Sequence, residues 1–230
     1  MENAQGDWII FVDADDYLFN RSLEKLIQSV EKTKYDVTLA CAYKYENSEY
    51  TPIYQIEEKD SDNICDLYEH YALWAYLFKK EIIKKHNIKF VDGLAYSEDM
   101  LFIIEYVSHC KRIKQINDFV YVYRINDTSA CKSTDWQKTT LHQFWSASLL
   151  LKLANMHTRC NPFYVNVHKK VRDTVKLGIS YFVESPSRIQ YNKIKNMFRQ
   201  YFKNREYNDF LFFIDYMHIL CKSYIKRIIK

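Results

Sequence analysis

Glycine and proline are both scarce in this chain of 230 residues, with three of each. Gly6, Gly93 and Gly178 lie too far apart to write G-x-G-x-x-G or G-x-x-x-x-G-K. That excludes the glycine-rich loops that cradle dinucleotides and the P-loop phosphates. Long apolar runs are missing as well. The best, Phe210 to Ile214, is broken by Asp215, far short of the roughly 18 residues that a membrane span needs. The opening Met1–Asp7 is polar and acidic, without the apolar core of a secretory leader. Six cysteines (Cys41, Cys65, Cys110, Cys131, Cys160, Cys221) form no C-x-x-C pair, and neither they nor the seven histidines fall at zinc-ligand spacing. Reduced, mostly buried thiols in a cytoplasmic compartment are expected.

Apolar residues are plentiful, at 48%, and 20 residues are tyrosine, so the chain can build a full core. Charge is unevenly spread. From Asn161 to Lys230 there are 14 Lys and Arg against 5 Asp and Glu, whereas the preceding part is net acidic. Such a split suggests two jobs, and a basic tail suits nucleic acid, anionic lipid or phosphorylated ligands equally.

The apolar run Trp8–Val12 predicts a buried strand of a parallel sheet. A helix is expected from Ser22, with Leu23, Leu26, Ile27 and Val30 at helical spacing, and a second strand over 36–45. Residues 46–63 read as a loop or a β excursion. Then come a helix at 66–71, a strand at 73–78, a basic helix at 80–86, a short strand at 88–90 and a helix opening at Ser97. Strands at 113–116 and 120–123 precede a region that is helical almost to the end, broken at Pro162 and Pro186.

Three segments carry candidate chemistry. Asp13-Ala-Asp15-Asp16 puts three carboxylates in four residues at the carboxyl end of a predicted strand, where open α/β sheets bind ligands. On a strand, Asp13 and Asp15 share a face, which makes a hard-cation site for Mg²⁺ or Mn²⁺ bridging diphosphate oxygens; the alternative is an acidic turn that caps a helix. Ser97-Glu98-Asp99 reads either as a helix cap with acids in the first turn or as a site where Asp99 is a general base. Tyr121-Val-Tyr123-Arg124 ends a strand with an arginine suited to phosphate, or with a plain surface arginine.

Taken in order, these segments resemble the inverting family 2 glycosyltransferases of GT-A fold. Ala4-Gln-Gly6 through Asp13-Ala-Asp15-Asp16 resembles their A-x-G-x-apolar-D-x-D-D segment. Trp74 to Lys80 and Ile88-Lys-Phe90 resemble the apolar and basic stretch that follows. Glu98-Asp99-Met-Leu-Phe102 resembles E-D-x-x-F, and Tyr121-Val-Tyr123-Arg124 with Ser129 resembles Y-x-Y-R-x-x-x-x-S. The resemblance covers about residues 4–133. It implies an α/β chain: a partial GT-A (Rossmann-like) nucleotide-sugar transferase domain over 1–133, followed by a helical, basic C-terminal region over 134–230. The implied activity is metal-dependent transfer of a sugar from a nucleotide-diphosphate sugar to a hydroxyl of a polysaccharide or lipid-linked glycan, with inversion. The implied roles are Asp13 and Asp15 for metal and donor, Asp16 and Arg124 for donor, Asp99 as base, Glu98 as its positioning partner, and Trp74 beside the acceptor or in the core.

The family's usual N-terminal strand, P-x-Y-N, and its D-D-x-S segment have no counterpart here. The resemblance therefore implies a chain without the nucleoside-binding half, with open strand edges and weak or no turnover alone. Tyr216–Lys230, with Leu220, Tyr224, Ile225, Ile228 and Ile229 interleaved with basic residues, suits a helix on an anionic membrane surface or one packed on the domain. No nucleic-acid partner is expected. Two other readings stand beside this one. A haloacid-dehalogenase-like phosphatase would use Asp13 as nucleophile, but Tyr17 stands where Thr or Val is expected and no later Gly-Asp segment supplies further ligands. A non-catalytic transferase remnant would share every motif.

Overall fold

The computed structural model describes residues 1, 3–31, 35–63, 67, 70–125, 135–156, 162–184, 189–190, 192–194 and 196. The basic stretch 216–230, Ser129 and half of the helix expected at 66–71 lie outside the described residues.

Two compact units divide the chain. The first comprises Met1–Phe90 and Asp99–Ser133; the second comprises Val91–Glu98 and Thr134–Lys230. The first unit is built on a seven-stranded mixed sheet. Its strands are β1 (Trp8–Ile9), β2 (Tyr17–Leu18), β3 (Val37–Glu46), β4 (Glu49–Tyr54), β5 (Lys59–Ser61), β6 (Tyr76–Lys79) and β7 (Ile113–Arg124). The order is β1-β6-β3-β7-β2, with β4 against β3 and β5 against β7. Among the described residues only β3 and β7 run parallel, from Val37 opposite Ile113 to Tyr45 opposite Arg124, with register shifts around Cys41. Residues 46–63 thus hold two antiparallel strands. The two strands expected at 113–116 and 120–123 are one continuous strand of 12 residues.

Trp8–Val12 departs from the sequence expectation. Only Trp8 and Ile9 are in a strand, and they pair antiparallel with Lys79 and Phe78. The run is apolar for another reason: Phe11 sits edge-on to Phe78, Phe90 and Phe102, with ring centroids 5.6–5.7 Å apart. Val12 then emerges into solvent. The strand expected at 88–90 is likewise extended chain outside the sheet, with Ile88 buried and Phe90 stacked on Phe102.

Three helices belong with the sheet: α1 (Ser22–Glu31), α2 (Lys80–His86) and α3 (Glu98–Val107), the last beginning at the boundary between the units. α1 buries Leu26 and Val30 while Leu23 and Ile27 stay exposed, so half of its apolar stripe faces solvent. α2 ends at Asn87, which turns into the left-handed region with φ 52°. α3 buries seven of its ten residues. Asp36 fastens the start of β3 to that of β7: its carboxylate accepts the backbone N–H groups of Lys111 and Arg112 at 2.7 and 3.1 Å.

The second unit is helical. α4 (Trp136–Ala154) is capped by Asp135, whose side chain accepts the Lys138 N–H, and α5 (Pro162–Glu184) packs along it. The segment 91–98 lies on α4. The Ala95 N–H donates to His142 Nδ1 at 2.8 Å, the Ser97 hydroxyl meets Gln143 Oε1 at 3.1 Å, and Gly93, at φ 81°, rests by Trp145. Among the described residues no helix is long and apolar enough to cross a membrane.

Candidate functional site

The acidic segment is a turn. The Asp16 N–H donates to the Asp13 carbonyl at 3.1 Å, closing residues 13–16, and the chain re-enters the sheet at Tyr17. Strand alternation therefore does not align Asp13 with Asp15; the turn does the placing. Both side chains are exposed.

One tyrosine fixes this turn to the sheet. The hydroxyl of Tyr121, on the buried part of β7, accepts the Asp13 N–H at 3.0 Å and donates to Asp16 Oδ2 at 2.8 Å. The Arg124 backbone N–H donates to the other oxygen, Asp16 Oδ1, at 2.8 Å. Burial, reinforced by the hydrogen bond to Asp16 and the nearby carboxylates, pushes the Tyr121 phenol far above its ordinary range, against a smaller opposing pull from the Asp13 N–H. The hydroxyl therefore stays protonated and can hold both partners. Asp16 spends its carboxylate on shaping the turn, and Asp13 and Asp15 are exposed beside it.

Trp74 lies behind this tyrosine. Its ring stacks on Tyr121 at 4.5 Å and 8°, and on Tyr123 at 6.2 Å and 12°. It is 9% exposed and belongs to the core, so it supports the site through Tyr121 rather than by offering a face to an acceptor. Arg124 is exposed at the end of β7, and its charge is felt at Tyr17, next to the turn. Tyr17 pairs hydroxyl to hydroxyl with Tyr50 at 2.9 Å, which, with burial and charge repulsion, pushes its phenol up to about 12.

Asp99 stands half-buried in the first turn of α3, one turn ahead of Phe102 on the same helix face. Phe102 packs on Phe11, two residues before Asp13. Thus the first unit brings Asp13, Asp15, Asp16, Trp74 and Arg124 to one end of the sheet, while Asp99 stands at the start of α3. Glu98 belongs to the second unit, within reach of the charge on His142. Ser97 is not the expected helix cap. It takes a left-handed backbone, φ 65°, and turns its hydroxyl to Gln143.

Asp13 and Asp15 are exposed oxygen donors of the chemical type that a hard divalent cation takes. Among the described residues no group of three or more His, Cys, Asp or Glu forms a metal cage. Two outward carboxylates are what Mg²⁺ or Mn²⁺ uses when substrate phosphates supply the remaining oxygens. Tyr121 is the functional residue that sequence reasoning left without a role; its position opposite the acidic turn exists only once β7 is laid beside β2.

The sequence profile of Glycosyl transferase family 2 matches residues 1–94. That segment is a family 2 glycosyltransferase domain. Two relatives bear names of the same activity. "Uncharacterized glycosyltransferase EpsJ" of Bacillus subtilis (strain 168) is 25% identical over 139 residues, 55% of this chain and 40% of the relative. "Poly(ribitol-phosphate) beta-N-acetylglucosaminyltransferase TarP" of Staphylococcus aureus (strain N315) is 26% identical over 150 residues, 64% of this chain and 46% of the relative. The chain thus spans less than half the length of these relatives. The fold is shared with the crystal structure of S. aureus TarS 1-349 in complex with UDP-GlcNAc: TM-score 0.63, 15% identity, 88% of this chain and 58% of that one. The α/β architecture with a helical C-terminal region, expected from the sequence, is the one observed.

Proposed function

We propose that this chain takes part in transferring a sugar from a nucleoside-diphosphate sugar to a hydroxyl of a glycan polymer, with inversion and with the help of a divalent cation. The observation that carries the reading is the Tyr121 hydroxyl, which ties the Asp13 N–H and the Asp16 carboxylate to β7 and so holds Asp13 and Asp15 outward on a rigid support. TarS as a neighbour in complex with UDP-GlcNAc, and TarP named for a poly(ribitol-phosphate) acceptor, support the substrate classes.

Asp13 and Asp15 would hold Mg²⁺ or Mn²⁺, which when bound neutralises charge on a departing diphosphate. Asp16 and Tyr121 keep the turn in shape. Arg124, exposed beside the turn, offers a planar fork to phosphate oxygens. Asp99 is the base: its carboxylate takes the proton of the acceptor hydroxyl as that oxygen bonds to the anomeric carbon and the bond to the diphosphate oxygen breaks. In-line attack of this kind inverts the anomeric centre.

Titration calorimetry with UDP-GlcNAc, with and without Mn²⁺, tests the proposal on the wild type and on the D13N/D15N double variant. Binding that needs Mn²⁺ and disappears in the double variant is expected. Binding of equal strength in both proteins would remove Asp13 and Asp15 from the donor site.

A further inference from the structure

At the other end of the β1–β6 ladder from the acidic turn, the first unit has a concavity. It is a cleft of about 740 Å³ lined by Asp7, Lys79, Lys80, Glu81, Lys84 and Lys85. Four ammonium groups face two carboxylates there. Lys79 is engaged by Glu81 at 3.3 Å, and Lys80 Nζ donates to the Ala4 carbonyl. Lys84 and Lys85 are exposed, and among the described residues neither is paired with a carboxylate. Both follow from the pattern of α2, whose Ile82 and Ile83 are buried while Glu81, Lys84 and Lys85 turn outward. The wall of the cleft is firmly held: the Lys80 N–H donates to the Asp7 carbonyl at 2.8 Å, and Trp8 pairs with Lys79 in the sheet.

A fixed cleft with surplus lysine charge suits an anion, and lysine, a compact point charge on a flexible stem, suits phosphate groups that arrive in a series rather than one planar carboxylate. The spacing says more. Six residues separate Asp7 from Asp13, so the cleft lies within about 20 Å of the acidic turn even if the chain between them is fully extended. Even at that upper bound, the span is a short reach for a polymer.

We infer that this lysine cleft binds the phosphodiester backbone of a polymeric acceptor, holding the chain at one end of the β1–β6 ladder while a hydroxyl further along it reaches the acidic turn. The name of the polymer rests on the transferase reading; the anionic, repeating character of the ligand rests on the cleft. Lys84 and Lys85 would carry most of the contact, because Lys79 and Lys80 already have partners.

The test uses the full chain and end-labelled poly(ribitol-phosphate) oligomers in fluorescence anisotropy across a salt series. The K84Q/K85Q double variant is run alongside, with neutral dextran and phosphatidylglycerol vesicles as further probes and UDP-GlcNAc calorimetry on both proteins. Both lysines are exposed, so the variant should melt as the wild type does, and circular dichroism checks that it does. The inference expects polymer binding that weakens with salt and does not extend to dextran. In the double variant the binding should be about tenfold weaker, with the logarithmic salt slope reduced by about two, one for each lost phosphate contact. UDP-GlcNAc binding should not change. Equal polymer binding by the two proteins, or wild-type binding to vesicles and not to polymer, overturns it. Polymer binding that is lost in the variant of a chain that takes up no UDP-GlcNAc would uphold the cleft and sink the transferase reading instead.

Discussion

Tyr121 is the residue on which the candidate site turns. One hydroxyl, raised far out of its titration range by burial, serves the Asp13 N–H and the Asp16 carboxylate together. In Y121F both partners lose a hydrogen bond in a part-buried setting, which should cost about 1–3 kcal/mol. Urea unfolding of the two proteins measures this, and Mn²⁺-dependent nucleotide binding should weaken with it; an unchanged midpoint would mean the turn stands without the tyrosine. Trp74→Ala removes the ring beneath Tyr121 and should cost about 3–5 kcal/mol, with Trp74→Phe well below that in the same denaturation. The carboxylates of this site were plain in the sequence because three acids after an apolar run stand out. Their arrangement was not. Strand alternation put Asp13 and Asp15 on one face, whereas a hydrogen-bonded turn sets them, and the residue that fixes that turn lies on a strand far along the chain. Trp74 was readable as aromatic, but whether it offered a face to a ligand or to the core depended on β7.

Among the elements, β1 shows how composition misleads. Trp8–Val12 is apolar throughout, and a buried parallel strand is the usual meaning of such a run. Here two residues pair at the end of the sheet and the rest owes its apolarity to the Phe11 contacts. The helices were easier, because 3.6-residue spacing appears within a few turns; α1, α2 and α3 all occur near their expected positions. The segment 91–98 was not legible as part of the second unit, since its attachments to α4 join residues far apart in the chain. One of them is sensitive to pH. Burial, and then the charge of Lys138, hold the His142 imidazole below its ordinary value, against smaller pulls from Glu98 and Asp135. Its neutral form accepts the Ala95 N–H. A histidine with a lowered folded-state value contributes stability that is complete above the unfolded value of about 6.5 and declines as pH falls below it. Hydrogen exchange at the Ala95 amide should accelerate between pH 7.5 and 5.5 in the wild type beyond its intrinsic pH dependence. H142Q should not show that excess; equal pH profiles would exclude His142 as the cause. α5 offers a second prediction. A Cβ at Gly178 would stand 3.1–3.3 Å from the Phe144 ring and the Gln143 Cβ, and Phe144 is fully buried. The helical preference for alanine, worth about 1 kcal/mol, should lose to overpacking of about 1–3 kcal/mol. Gly178→Ala should therefore lower the thermal midpoint; a rise would show that the helices separate without cost.

At the scale of the whole molecule, an α/β part and a helical region after it were both foreshadowed, by strand-like runs before Trp136 and helical periodicity after it. Strand order was not, because pairing is decided between distant segments: β1 joins β6, and β3 joins β7, with long stretches of chain between partners. The family profile covers the first 94 residues, and the chain shares the fold of S. aureus TarS 1-349. The central proposal is that its acidic turn holds a metal and a donor diphosphate. Crystals grown with Mn²⁺ and UDP-GlcNAc test this directly through manganese anomalous scattering. The account predicts one strong peak between the Asp13 and Asp15 carboxylates, with diphosphate oxygens completing its shell and Asp16 still bonded to Tyr121. Nucleotide bound elsewhere on the molecule, or bound at the turn with manganese absent from Asp13 and Asp15, would contradict it.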